Sequence, residues 1–168
     1  MRHIISVLVE NKFGVLARVA GLFSGRGYNI ESLSVGALQD PDYSIITLAT
    51  SGDERIVEQI VKQLRKLVNV IKVRDLTSLD HVEREMLFVK VKATMKTRSD
   101  IFNIVNTFRA KIISLNSESV IIEITGVKEK NVAFLEVLKP FEIIEIVRTG
   151  SIAMMRDANI TQDQQKGV

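Results

Sequence analysis

Twice along this chain, short apolar runs and amphipathic stretches alternate in one order: strand, helix, strand, strand, helix, strand. A period near 2 marks a half-buried strand and a period near 3.6 marks a helix with one buried face. A chain with this order folds as split βαβ units, and few other plans accept it. In the first half, residues 3–10 predict a strand. His3, Ile5, Val7 and Val9 share one face, and Ile4 and Leu8 share the other with Ser6 and Glu10. Residues 15–25 predict a helix with Leu16, Val19, Ala20 and Phe23 on one side and Arg18 on the wet side, ended by Gly25-Arg26-Gly27. Strands follow at 28–39 and 43–50 around an Asp40-Pro41-Asp42 turn. Ser51-Gly52-Asp53-Glu54 caps a second helix, whose apolar stripe is Ile56, Val57, Ile60, Val61, Leu64 and Leu67, and residues 69–76 make the last strand.

The second half repeats the plan with a strand at 86–95, a helix at 99–109, strands at 111–117 and 119–126, a helix at 128–138 and a strand at 141–149. Corresponding elements lie roughly 73–84 residues apart, an architectural duplication rather than a close sequence repeat. The expected fold class is α+β, with two ferredoxin-like βαββαβ domains in tandem. The expected boundaries are 1–76 for the first domain, a polar linker at 77–85 (TSLDHVERE), 86–150 for the second domain and a tail at 151–168 whose polar end, TQDQQKGV, frays.

A unit of about 75 residues buries a limited area. Each sheet has one face covered by helices and one that needs cover or polarity. In the first unit that second face carries Ile4 and Leu8, so it calls for a partner: the other half of the chain, a second copy or another protein.

Composition removes several classes of chemistry. The 168 residues contain no Cys, which excludes disulfides, thiolate metal sites and a Cys nucleophile, and fits a reducing compartment. The net charge is +3 with no basic run, so nothing marks a nucleic-acid tail. No segment approaches the ~20 apolar residues of a membrane span, and no cleavage site follows the first apolar run. A soluble, cytoplasmic protein without nucleic-acid or membrane partners is expected. There is no phosphate-binding G-x-x-x-x-G-K-[ST], Gly25 and Gly27 are followed by Ile30 where a dinucleotide fingerprint needs glycine, and H-E-x-x-H is missing. His3 lies in a strand and His81 in the linker, structural positions rather than those of a general base. Glu83 and Glu85 in the linker are solvated. Nothing suggests a catalytic residue or a metal site.

What remains is the turn Asn11-Lys12-Phe13-Gly14 between the first strand and the first helix. Gly14 opens backbone angles closed to other residues and leaves no Cβ in the way. The first N–H groups of a helix lack intrahelical partners and carry partial positive charge, so a carboxylate docks there without a basic side chain. An ammonium group needs acceptors, such as strand carbonyls or the Asn29 side chain. A small amino acid is a reasonable ligand, and a plain tight connection is the alternative. The matching junction of the second half, Ala93 to Ser99, has no glycine, so the fold by itself does not require N-x-x-G.

The stretch ISVLVENKFGVLARVAGLFSGRGYNIESLSVG, with GDERIVEQIVKQLRKLVNVIKV and HVERE, resembles the small regulatory subunit of acetohydroxyacid (acetolactate) synthase, whose N-terminal domain is an ACT domain. The resemblance covers residues 1 to about 150 and is weaker in the second half, where it rests on layout and patches such as Val89-Lys90-Val91. It implies a non-catalytic chain without cofactors of its own. Its partner, the large catalytic subunit, carries thiamine diphosphate, Mg²⁺ and FAD and joins two 2-keto acids. The small subunit raises that activity and confers feedback inhibition by valine or another branched-chain amino acid of the pathway it serves. The resemblance further implies a homodimer through side-by-side ACT domains, with the effector between them. Matched by position, Asn11, Gly14, Val15 and Leu16 would contact the effector from one chain, and Asn29 and Ile30 from its neighbour. Lys12 and Phe13 occupy variable turn positions and receive no role.

Two other functions fit a ferredoxin-like chain. One is a free-standing amino-acid sensor regulating another protein, which would lack a thiamine-dependent partner. The other is an RNA-binding module, which needs stacked aromatics on its strands; Tyr28 and Tyr43 stand there without a basic cluster.

Overall fold

The computed structural model describes residues 1–156. Two compact units divide the chain, Met1–Val82 with the segment from Gly150 onward, and Glu83–Thr149.

In the first unit the elements are β1 (Arg2–Glu10), α1 (Val15–Ser24), β2 (Ser32–Ala37), β3 (Tyr43–Ser51), α2 (Glu54–Leu64) and β4 (Val70–Asp75). The sheet order is β2-β3-β1-β4, antiparallel throughout, with Val7 opposite Ile46 on one side and Val73 on the other. Ile5, Val7 and Val9 of β1 point into a core with Val15, Val19 and Phe23 of α1 and Val57, Ile60 and Leu64 of α2. Fully burying each such side chain stabilises the fold by about 1.5–3 kcal/mol. The predicted alternation of β1 holds, and so does the stripe of α2, whose start is capped by Asp53 Oδ1 accepting from the Ile56 N–H at 2.8 Å. β2 is shorter than the predicted 28–39. Tyr28 folds back, donating its N–H to Phe23 O at 3.0 Å with its ring edge-on to Phe23, and the strand begins only at Ser32.

The second unit holds most of β5 (His81–Lys92), then α3 (Arg98–Thr107), β6 (Lys111–Leu115), β7 (Ser119–Gly126), α4 (Lys128–Leu138) and β8 (Ile143–Arg148). Its order β6-β7-β5-β8 repeats that of the first sheet. Leu87, Val89 and Val91 meet Ile101, Val105, Phe134 and Leu138 in its core. The α+β architecture of two ferredoxin-like units is therefore as the sequence predicts.

The segments around the second unit differ from expectation. Of the stretch 77–85, Thr77 folds onto Asp75 through a 2.9 Å bond from its N–H, but β5 already begins at His81, because charged side chains are compatible with a hydrogen-bonded strand, and Glu85 is buried. Residues 151–168 are not a tail from the outset: β9 (Ile152–Met155) follows β8 and belongs to the first unit. Ala153 and Met155 pack on Ile4, Ala49 and Leu76, so this segment covers part of the face on which Ile4 called for a partner. Ser151 is fully buried; its N–H donates to Ser32 Oγ at 2.7 Å and its Oγ accepts from Arg2 Nη2 at 3.0 Å. The polar end TQDQQKGV lies outside the described residues. No helix among the described residues is long and apolar enough to cross a membrane.

Candidate functional site

β1 ends at Glu10, and the turn after it is tied to the β2–β3 hairpin. The Asn11 N–H donates to Asp42 O at 2.6 Å and its Nδ2 to Pro41 O at 2.8 Å. Its side-chain oxygen remains an acceptor. Gly14 sits at φ +79°, in the left-handed region. Space does not demand glycine here, since an added Cβ would meet nothing nearer than Arg18 Nη2 at 3.8 Å. Conformation does, at a cost of about 1–2 kcal/mol for a typical L-residue.

Gly14 is also the N-cap of α1, so no side chain caps that helix. Of the four helices among the described residues, α1 alone has no acidic residue in its first turn; Glu54, Asp100 and Glu129 fill that place in the others. The partial positive charge of its first N–H groups is therefore left uncompensated.

An open groove of about 710 Å³ lies at this helix start, lined by Asn11, Lys12, Phe13, Arg18 and Asn69. Its lining contains two cations, two amides and an aromatic ring that is fully exposed at Phe13, and no carboxylate. Behind it runs a polar chain. Lys12 Nζ stands 3.2 Å from Glu10 Oε2, Asn69 Nδ2 donates to the same carboxylate oxygen, and Arg18 Nη1 donates to Asn69 Oδ1 at 2.6 Å. The Asn69 hydrogen bond, and then Lys12, hold the Glu10 carboxyl below its ordinary pKa. Asn69 itself is fixed by its carbonyl, which accepts from the Glu10 N–H at 2.9 Å.

Asn11, Gly14, Val15 and Leu16 thus come together at one end of α1, although Val15 points into the core and Leu16 is partly exposed. The groove lining includes neither Asn29 nor Ile30. Both lie between α1 and β2, Asn29 exposed with its carbonyl accepting from Thr50 Oγ1 at 2.7 Å, and Ile30 packed against the core. Sequence reasoning missed Arg18 and Asn69 and left Lys12 and Phe13 without a role. Arg18 carried a readable signal, a cation one turn into a helix that follows a glycine cap; Asn69, 58 residues further along than Asn11, carried none.

The corresponding start of α3 is built differently. Thr97, its N-cap, has φ −101° and accepts from the Thr94 N–H at 3.1 Å. The guanidinium of Arg98 donates to the carbonyls of Asn116 and Ser117 at 3.0 and 3.1 Å. Among the described residues no group of three His, Asp or Glu side chains is placed to hold a metal ion.

Residues 5–72 match the model of the AHAS small subunit-like ACT domain, and residues 84–157 match that of the small subunit of acetolactate synthase. The chain is 48% identical to a probable acetolactate synthase small subunit of Archaeoglobus fulgidus, over 93% of this chain and 98% of that one. The chain belongs to the acetolactate synthase small-subunit family. It is 43% identical to the acetolactate synthase small subunit of Aquifex aeolicus, over 98% of this chain and 86% of the relative. The crystal structure of the acetolactate synthase small subunit of Thermotoga maritima superposes with a TM-score of 0.87 at 43% identity, covering 94% of this chain and 98% of that one. The turn and groove lie within the ACT match, and β9 within the small-subunit match.

Proposed function

We propose that this chain is the regulatory subunit of an acetolactate synthase in branched-chain amino-acid biosynthesis. It binds the large catalytic subunit, raises its activity and makes it subject to feedback inhibition by valine or another branched-chain amino acid. The chain is itself non-catalytic, and thiamine diphosphate, Mg²⁺ and FAD belong to the partner. It works in the cytoplasm as a homodimer through its ACT domains, with Asn29 and Ile30 of a second copy completing the effector site.

The observation that supports this most directly is the groove at the uncapped, acid-free start of α1, within a chain of this family. A free α-amino acid needs an anion site, an acceptor for its ammonium group and an apolar surface. The helix start and the groove cations offer the first, Asn11 Oδ1 the second, and Phe13 and Leu16 the third. Inhibition requires that the amino acid bind the inhibited arrangement of the holoenzyme better than the active one, and a coupling of about 1–3 kcal/mol suffices. The exposed edge of the first sheet offers backbone groups for pairing with a second copy.

The test is reconstitution. Purified chain mixed with the acetolactate synthase large subunit of the same source should co-elute with it and raise its rate of acetolactate formation. Failure to co-elute, or co-elution without a change in rate, would contradict the assignment.

A further inference from the structure

The two cations of the groove are partnered differently. Lys12 is met by Glu10 at 3.2 Å, whereas the hydrogen-bond partner of Arg18 is the neutral amide of Asn69. Among the described residues the Arg18 guanidinium meets no carboxylate. Its two ends are placed differently. Nη1 is held on Asn69, and Nη2 faces the Gly14 position, 3.8 Å from where a Cβ would project. A guanidinium is thus stretched from the groove wall to the open helix start, with donors on its Gly14 side.

We propose that Arg18 receives the carboxylate of the amino-acid effector and Asn69 positions it to do so. This rests on the assignment of the groove as the effector site and goes beyond it, because that assignment leaves open whether the helix N–H groups, Lys12 or Arg18 take the carboxylate. Arg18 supplies a full charge and planar donors suited to a carboxylate. Asn69 fixes the direction of those donors: its Nδ2 is engaged by Glu10, so its oxygen is turned toward Arg18. Lys12 is the weaker candidate, since taking a ligand carboxylate would draw it from Glu10. The ammonium group then lies toward Asn11 Oδ1, on the other side of Gly14. Carboxylate at Arg18 and ammonium at Asn11 orient the α-carbon, and the side chain is left to the apolar rim.

The proposal distinguishes ligands by their charge. Valinamide keeps the ammonium group and side chain of valine and replaces the carboxylate with a neutral amide. Calorimetry on the full chain, with valine, leucine and isoleucine and the amide of whichever binds best, should show the amino acid bound more tightly than its amide. Arg18→Gln should weaken the amino acid about tenfold, the worth of one hydrogen bond to a charged group, and leave the amide nearly unchanged. Arg18→Lys should lose less, and Asn69→Ala should lose affinity for the amino acid only. Thermal melts establish that each variant is folded. If Arg18→Gln and Arg18→Lys bind the amino acid as the wild type does while Gly14→Asp does not bind it, the site stands and the role of Arg18 is overturned. If none of the three amino acids binds the wild type, the effector assignment falls and this inference falls with it.

Discussion

A Cβ on Gly150 would stand 2.2 Å from the carbonyl oxygen of Leu33. Backbone meets backbone there, so no side chain can give way. The contact lets Ser151 reach Ser32 and brings β9 over Ile4, Ala49 and Leu76. Gly150→Ala should therefore destabilise the first unit by about 1–3 kcal/mol, the usual cost of overpacking. Gly36→Ala is the control, because an added Cβ there meets nothing within 4 Å. Urea midpoints of the two variants should differ clearly, and a Gly150→Ala midpoint equal to that of the wild type would contradict the fit of this segment.

Glu10 makes a pH prediction. Its folded-state pKa lies below the ordinary 4.5 because Asn69 and Lys12 favour the carboxylate. A depressed carboxyl contributes stability above its unfolded pKa and loses it as pH falls through the folded value. Glu10→Gln should thus be less stable than the wild type at neutral pH, and the difference should shrink below pH 4.5. Denaturation midpoints at neutral and acid pH check this; a difference constant across that range would show that the carboxylate has no special partner.

Asp53 caps the start of α2 with its side chain, Oδ1 accepting from the Ile56 N–H at 2.8 Å, whereas α1 has no side-chain cap. Asp53→Ala should cost about 1 kcal/mol. The same measurement on Asp53→Asn should show little loss, since an amide oxygen caps as well.

The order of elements was legible because periodicity is a local property. His3, Ile5, Val7 and Val9 alternate, and all four are buried. The need for cover over Ile4 was legible too, but not what covers it. Ile-Ala-Met-Met is four residues long, and its partners Ile4 and Leu76 lie far away in the chain. β5 begins earlier than the sequence predicts, because His81-Val-Glu-Arg-Glu reads as solvated and nothing local shows the pairing that makes it a strand. At the site, Gly14 announced the unusual backbone. Arg18 was assigned to the wet side of α1, correctly by period, yet its length carries it to Asn69, 51 residues away. Such a meeting is set by topology and has no signature in either segment.

The central claim is that the start of α1 holds an effector that inhibits the holoenzyme. Gly14→Asp tests it most directly. Aspartate tolerates left-handed angles better than most residues, and its carboxylate would project toward Arg18, 3.8 Å from the added Cβ, occupying the anion position with the chain's own charge. The measurement is the ratio of acetolactate synthase rates with and without valine, leucine or isoleucine, for the catalytic subunit reconstituted with each form of this chain. The wild-type chain should confer inhibition by at least one of the three, and Gly14→Asp should hold that ratio near one at every concentration. Equal inhibition with both forms would place the effector somewhere else.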